Sequence, residues 1–238
     1  MSQQLYQIAK YLMLGLGIGI CLAPCFVFAQ VKDSKKMAIS YVVYPQIERY
    51  IDLISDIYTE LGYEVTIIPT PATRGLVLLN DGEVDADVVR VAKTVQNYPN
   101  ALLVEPALKI GKLVLICVKD VLCERSVLQD KKAVILSTEG IQLFLTEPHI
   151  SARIKNIQAL TYSIDMLKAG RANYAILLID GSIDFTQDFN LLTLQEMAIH
   201  HVMHKKHADL LPLVQQKLIE KLPAFNAQIE EKNLSSEQ

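Results

Sequence analysis

The sequence lacks the short signatures by which many enzymes can be recognised. It has no Gly-x-Ser-x-Gly turn to expose a nucleophilic serine, no glycine loop to cradle a phosphate, and no His-Glu-x-x-His pair for a catalytic zinc. Charge of one sign is scarce as well: 23 Lys and Arg stand against 26 Asp and Glu, a net charge of −3. So mild and well mixed a balance excludes a nucleic acid or an anionic membrane surface as the expected partner. Neither a low-complexity linker nor a short-period repeat is present. Cysteine is sparse too, with four in the whole chain, and two of these, Cys21 and Cys25, fall inside the N-terminal apolar run.

That run reads as an export signal. Lys10 is followed by 19 uncharged residues, Tyr11 to Ala29, closing on Val27-Phe28-Ala29 before Gln30. Val27 and Ala29 suit the two positions a signal peptidase reads. A membrane-spanning helix of the same length is disfavoured, because Gly15, Gly17 and Gly19 weaken it and Pro24 breaks it. Pro24 before Cys25 and Ile20 before Cys21 fit a lipid-attachment site poorly. Cleavage after Ala29 leaves 209 residues with 22 basic and 26 acidic side chains, enough for one large domain or two small lobes. Export permits a disulfide between the remaining Cys117 and Cys123 without demanding one. Cys117 sits in an apolar run and reads as a buried free thiol.

Beyond the signal, strand and helix patterns alternate. Strands are expected at 37–43, 64–68, 86–91, 102–104 and 112–118, then at 133–136, 157–160 and 174–179. Ile47, Ile51, Ile54, Ile57, Tyr58 and Leu61 recur at helical spacing before Gly62, a C-terminal cap. Thr73 is expected to cap a short helix ending near Asn80. Further helices are expected at 140–145 and 162–169, and a last one presents Leu211, Val214, Leu218, Leu222 and Phe225 on one face. Repeated strand–helix–strand units imply an α/β fold of mostly parallel sheets covered by helices. Two such sets imply two lobes around a cleft: 30–112 and 113–204, with a C-terminal helix, 205–238, returning to the first.

Four stretches carry a family resemblance. They are Thr73-Arg74-Gly75-Leu76 leading to Asn80-Asp81-Gly82-Glu83-Val84-Asp85-Ala86-Asp87; Tyr98-Pro99-Asn100 with Val104-Glu105-Pro106; Leu167-Lys168-Ala169-Gly170-Arg171-Ala172-Asn173-Tyr174; and His200-His201-Val202-Met203-His204-Lys205-Lys206-His207. In this order they resemble a divergent branch of the bacterial extracytoplasmic solute-binding proteins of family 3, the polar amino-acid type. Asn173 stands where that family usually has Asp, and the loop Tyr44-Pro45-Gln46 is shorter than usual. The resemblance implies a two-lobed type 2 periplasmic-binding-protein fold. It also implies a periplasmic, monomeric protein that captures a small polar, anionic or amino-acid-like solute for an inner-membrane transporter or sensor, with no cofactor. Two alternatives stay open: a dehydratase-like cleft enzyme using Glu48 or Glu139 as general acid, and a scaffold that no longer binds.

Arg90 and Arg74 lead the candidate ligand residues. Arg90 closes a parallel strand, where ligands of α/β sheets collect, and Arg74 opens a helix. A guanidinium grips a carboxylate with two parallel hydrogen bonds. The competing role for Arg90 is a salt bridge with Asp85, Asp87 or Glu105. Glu48 suits a ligand ammonium or the positive end of its own helix. Tyr44 offers a stacking face. Ser137 and Thr138 join a strand to a helix N-terminus, an anion site or an ordinary cap. Asp180 follows the strand 174–179. His200, His201, His204 and His207 invite a metal reading, but nothing completes a tetrahedral set before Asp209, and none is expected.

Overall fold

The computed structural model describes residues 35–44, 47–142, 145, 150–157, 160–181 and 183–235. The expected export signal and the loop residues Pro45 and Gln46 lie outside them. Eight strands form one sheet. They are β1 (Lys35–Tyr41), β2 (Tyr63–Pro69), β3 (Ala86–Val91), β4 (Ala101–Val118), β5 (Val134–Ser137), β6 (Arg153–Asn156), β7 (Tyr174–Ile179) and β8 (Phe189–His204). Their order across the sheet is β2-β1-β3-β8-β4-β7-β5-β6.

Each end of the sheet is parallel: β2-β1-β3 at one, β7-β5-β6 at the other. The two ends are joined by the long antiparallel pair β4 and β8. The segments expected as separate strands at 102–104 and 112–118 are therefore one 18-residue strand. Its register shifts between Val104 and Lys109, around Pro106, which has no N–H to give a ladder. Strand β8 was not expected at all. From Ile199 to His204 it runs between β3 and β4 and is buried on both faces, so no in–out alternation marks it.

The helices follow their apolar spacing. Helix α1 (Ile47–Glu60) buries Ile47, Tyr50, Leu53, Ile54, Ile57 and Tyr58, and Gly62 ends the turn beyond it at φ 87°. Helix α2 (Ala72–Asp81) begins earlier than expected: Pro71, not Thr73, stands at its N-cap, and no side chain bonds the first turn. The short helices α3 (Ala92–Val95) and α4 (Glu139–Gln142) and helix α5 (Leu160–Lys168) follow, and helix α6 (Leu211–Ser235) closes the chain. Buried Val214 and Leu218 anchor α6, Phe225 packs its ring 5.2 Å from Tyr50, and Lys217 and Lys221 pair with Glu60 of α1.

The cysteines correct the free-thiol expectation. Cys117, near the end of β4, is bonded to Cys123, with a Cα–Cα separation of 5.8 Å. The turn after Val118 reverses the chain within six residues and brings the second cysteine back to the strand. Closing so short a loop is worth about 2 kcal/mol in the chain-entropy view. Cys123→Ala should lower the unfolding free energy by about that amount. Unreduced wild-type protein should show no titratable thiol in the folded domain. Free thiols in the oxidised protein, or unchanged stability in the variant, would refute the bridge.

Candidate functional site

The C-terminal ends of the parallel strands converge on one cavity of about 1090 Å³. Val42, Val43 and Tyr44 follow β1, and Pro69 and Thr70 close β2. Val89, Arg90 and Val91 close β3. Thr138 to Ile141 follow β5, Asn156 and Ile157 close β6, and Leu178 to Asp180 close β7. Crevices beyond the carboxyl ends of parallel strands are where α/β sheets bind ligands, since loops and helix N-termini meet there. The first turn of α2 supplies Ala72, Thr73 and Arg74 from one side, and α4 approaches from the other. The approach is close: a Cβ on Gly140 would stand 3.0 Å from the Cβ of Ala72.

Of the seven expected ligand residues, Arg90, Arg74, Tyr44, Thr138 and Asp180 line this cavity. Glu48 and Ser137 do not. Glu48 is exposed on the first turn of α1, while Ser137 is buried in β5 with its hydroxyl near the Thr138 carbonyl. Of the two candidate general acids, Glu139 lines the cavity and Glu48 does not.

Arg90 points inward. Its Nη2 lies 2.6 Å from Asp87 Oδ2, and its Nη1 donates to the Ala72 carbonyl at 2.8 Å. Ser40 Oγ donates to the same Asp87 oxygen at 2.6 Å. Both charged side chains are buried, and Asp87 Oδ1 and Arg90 Nε have no partner. The guanidinium lies over Gly75, where a Cβ would also come within 2.7 Å of Thr70 Oγ1, so the residue after Arg74 has no room for a side chain. Arg74 itself is exposed on the cavity wall and forms no hydrogen bond or ion pair with another described residue.

Across the cavity, Tyr50 donates its hydroxyl to Asp180 at 2.7 Å, tying α1 to the end of β7. Burial, and then the Asp180 charge, push the Tyr50 and Tyr44 phenols far above their ordinary range, so both remain protonated donors. Tyr50 was not foreseen, although it stands one turn beyond Ile47 on the buried face of α1. Thr70, Thr94 and Asn156 were also missed; Thr70 and Asn156 follow the rule that singled out Arg90, since each closes or follows a parallel strand.

The histidines each have a different partner. His201 Nε2 meets Tyr58 Oη at 2.9 Å and its Nδ1 lies 3.3 Å from the Val88 carbonyl. His200 Nδ1 lies 3.3 Å from the Val104 carbonyl, and His204 Nδ1 accepts the Lys206 N–H at 3.0 Å. His207 meets Asp85 Oδ1 at 2.8 Å, as does Lys206 Nζ, while the Ala38 N–H donates to the other oxygen. Burial alone would raise the Asp85 carboxyl, but these donors together outweigh it and hold it below its ordinary range. Among the described residues no three His, Cys, Asp or Glu side chains are grouped to hold a metal ion.

No family model matches the sequence, and no curated protein matches it. Solved structures do match in fold. The glutamate-bound ligand-binding core of GluR0 from Nostoc punctiforme aligns with a TM-score of 0.65 at 15% identity, covering 82% of this chain and 96% of its own. The substrate-binding protein of an amino acid ABC transporter aligns at 0.66 and 12% identity, covering 82% and 98%. AncCDT-1, an ancestral amino acid-binding protein and precursor of cyclohexadienyl dehydratase, aligns at 0.63 and 12%, covering 83% and 94%. The chain therefore has the two-lobed α/β fold of type 2 periplasmic binding proteins, at an identity that establishes fold alone.

Proposed function

We propose that this chain is an exported solute-binding protein that captures a small anionic or amino-acid-like solute in its cleft, unchanged, for a transporter or sensor. One observation carries the reading: the carboxyl ends of the parallel strands from both ends of the sheet meet around the same cavity, with Arg74, which has no hydrogen bond or ion pair to another described residue, on its wall. We read the lobes as 30–112 and 113–204, with the C-terminal segment returning to the first; the ion pairs of α6 with Glu60 support that return, and residues 199–204 of β8 already lie beside β3. Among the described residues no helix is long and apolar enough to cross a membrane. Export rests on the N-terminal run, with the mature chain starting at Gln30. The fold neighbours named for glutamate and amino acid binding favour capture over chemistry.

The test is a thermal-shift screen of protein beginning at Gln30 against a broad set of small metabolites. A cognate solute at 100 times its Kd should add about 2.7 kcal/mol of stability. It should be recovered intact after prolonged incubation. Conversion of the bound solute, abolished by Glu139→Gln, would replace capture with catalysis. Silence across the set would leave a scaffold.

A further inference from the structure

The chemistry of the cleft wall says more about the solute. Two exposed large aliphatic side chains, Val43 at 66% and Val77 at 43%, both face this cavity. Val89, Ile157 and Ile179 continue the same surface, each only partly covered. Aliphatic area held open to water around a pocket gains free energy only when an apolar body covers it.

Several polar groups of the wall are engaged within the protein. Arg90 is held by Asp87 and the Ala72 carbonyl. Tyr50 is committed to Asp180, Thr94 donates to the Val91 carbonyl at 2.7 Å, and Thr138 Oγ1 accepts the Ile141 N–H. A solute with a charged or amide-bearing side chain would strip water from that side chain against a wall that is mostly aliphatic, with Tyr44, Thr73 and Glu139 among its further polar groups. Arg74 is an exposed cation of this wall, without a hydrogen bond or ion pair to another described residue. A planar guanidinium at the edge of an apolar wall suits one carboxylate at the end of an apolar body.

We propose that the cleft takes a carboxylate carried on a large apolar body, with the bulk of an aromatic or branched-chain amino acid, Arg74 meeting the carboxylate and the aliphatic wall covering the body. This inference rests on the solute-binding reading above and specifies its ligand. A cavity of about 1090 Å³ has room for such a body.

Titration calorimetry on protein beginning at Gln30 tests it with five probes: L-phenylalanine, L-leucine, 3-phenylpropanoate, L-glutamate and L-arginine. At least one of the first three should bind 10-fold or more tightly than both glutamate and arginine. Arg74→Gln and Ile157→Asn, checked for unchanged melting, should each weaken that probe 10-fold or more. The ratio of phenylalanine to 3-phenylpropanoate then reads how much an ammonium near Asp180 contributes. Glutamate or arginine binding as tightly as the apolar probes would overturn the inference and leave the solute-binding reading standing. Unchanged affinity in Arg74→Gln, or no binding by any of the five, would also overturn it. Silence in the broad metabolite screen as well would take the solute-binding reading with it.

Discussion

Lowering the pH from 6.5 to 4 should remove about 3 kcal/mol of folding stability, most of it through His201. The ring is fully buried, and burial lowers its pKa to about 4, against a smaller opposing effect of the Val88 carbonyl. A carbonyl only accepts, so Nδ1 carries the proton toward Val88, and Nε2 accepts the Tyr58 hydroxyl. Protonating Nε2 would set two donors against each other in a dry interior.

In the unfolded chain the imidazole takes up its proton as the pH falls through 6.5, while in the folded protein it stays neutral down to about 4. Between those values the unfolded state binds more protons, so stability falls with pH; above 6.5 the contribution is complete. His204, shifted down by burial and by Lys206, acts in the same direction, whereas Asp85 loses its share only at lower pH, below the ordinary carboxylate range. Denaturant unfolding at half-unit steps measures the slope. His201→Gln, which keeps a donor and an acceptor but cannot titrate, should flatten most of it. An equal slope in that variant would remove His201 from the account.

Sequence patterns made some of this legible. The apolar spacing of α1 and α6 stands out because each helix buries one stripe and leaves the other in water. The strand-end rule brought Arg90 and Asp180 to the cavity wall, because βα topology delivers those positions to one side of a sheet wherever the chain goes next, and the helix N-terminus after β5 brought Thr138 there. Strand β8 was hidden by its central place, and β4 by the break at Pro106, which looked like an end.

The partner of Arg90 was hidden for a geometric reason. Asp87 and Arg90 lie three apart, and on a regular strand such residues face opposite sides. The register of β3 against β8 shifts between them, so that Val88 and Val89 together oppose His201, and the extra residue turns both charges to one side. The same irregularity sets the Val88 carbonyl against the His201 ring. Of the three acids in reach by sequence, Asp85 is bound to Lys206 and His207, and Glu105 lies 3.8 Å from His200.

Asp87→Ala should destabilise the protein by about 3–5 kcal/mol, the cost of leaving a guanidinium buried without its counter-charge. Arg90→Met should cost less, because a buried carboxyl can be neutralised by a proton and still bond to Ser40, whereas a guanidinium cannot shed its charge. The pair Asp87→Leu with Arg90→Met should recover much of the loss, since a buried ion pair exchanged for apolar side chains is often neutral or better. The cleft gives this cycle a second readout. Arg90 holds the Ala72 carbonyl, two residues before Arg74, and so positions the first turn of α2. The double variant should therefore fold well yet bind its solute several-fold more weakly, with Arg74→Gln adding little further loss in that background. Full stability together with full affinity in the double variant would limit the pair to a local packing choice. Abolished binding in Arg90→Met, with Arg74→Gln neutral in wild type, would make Arg90 itself the ligand's partner.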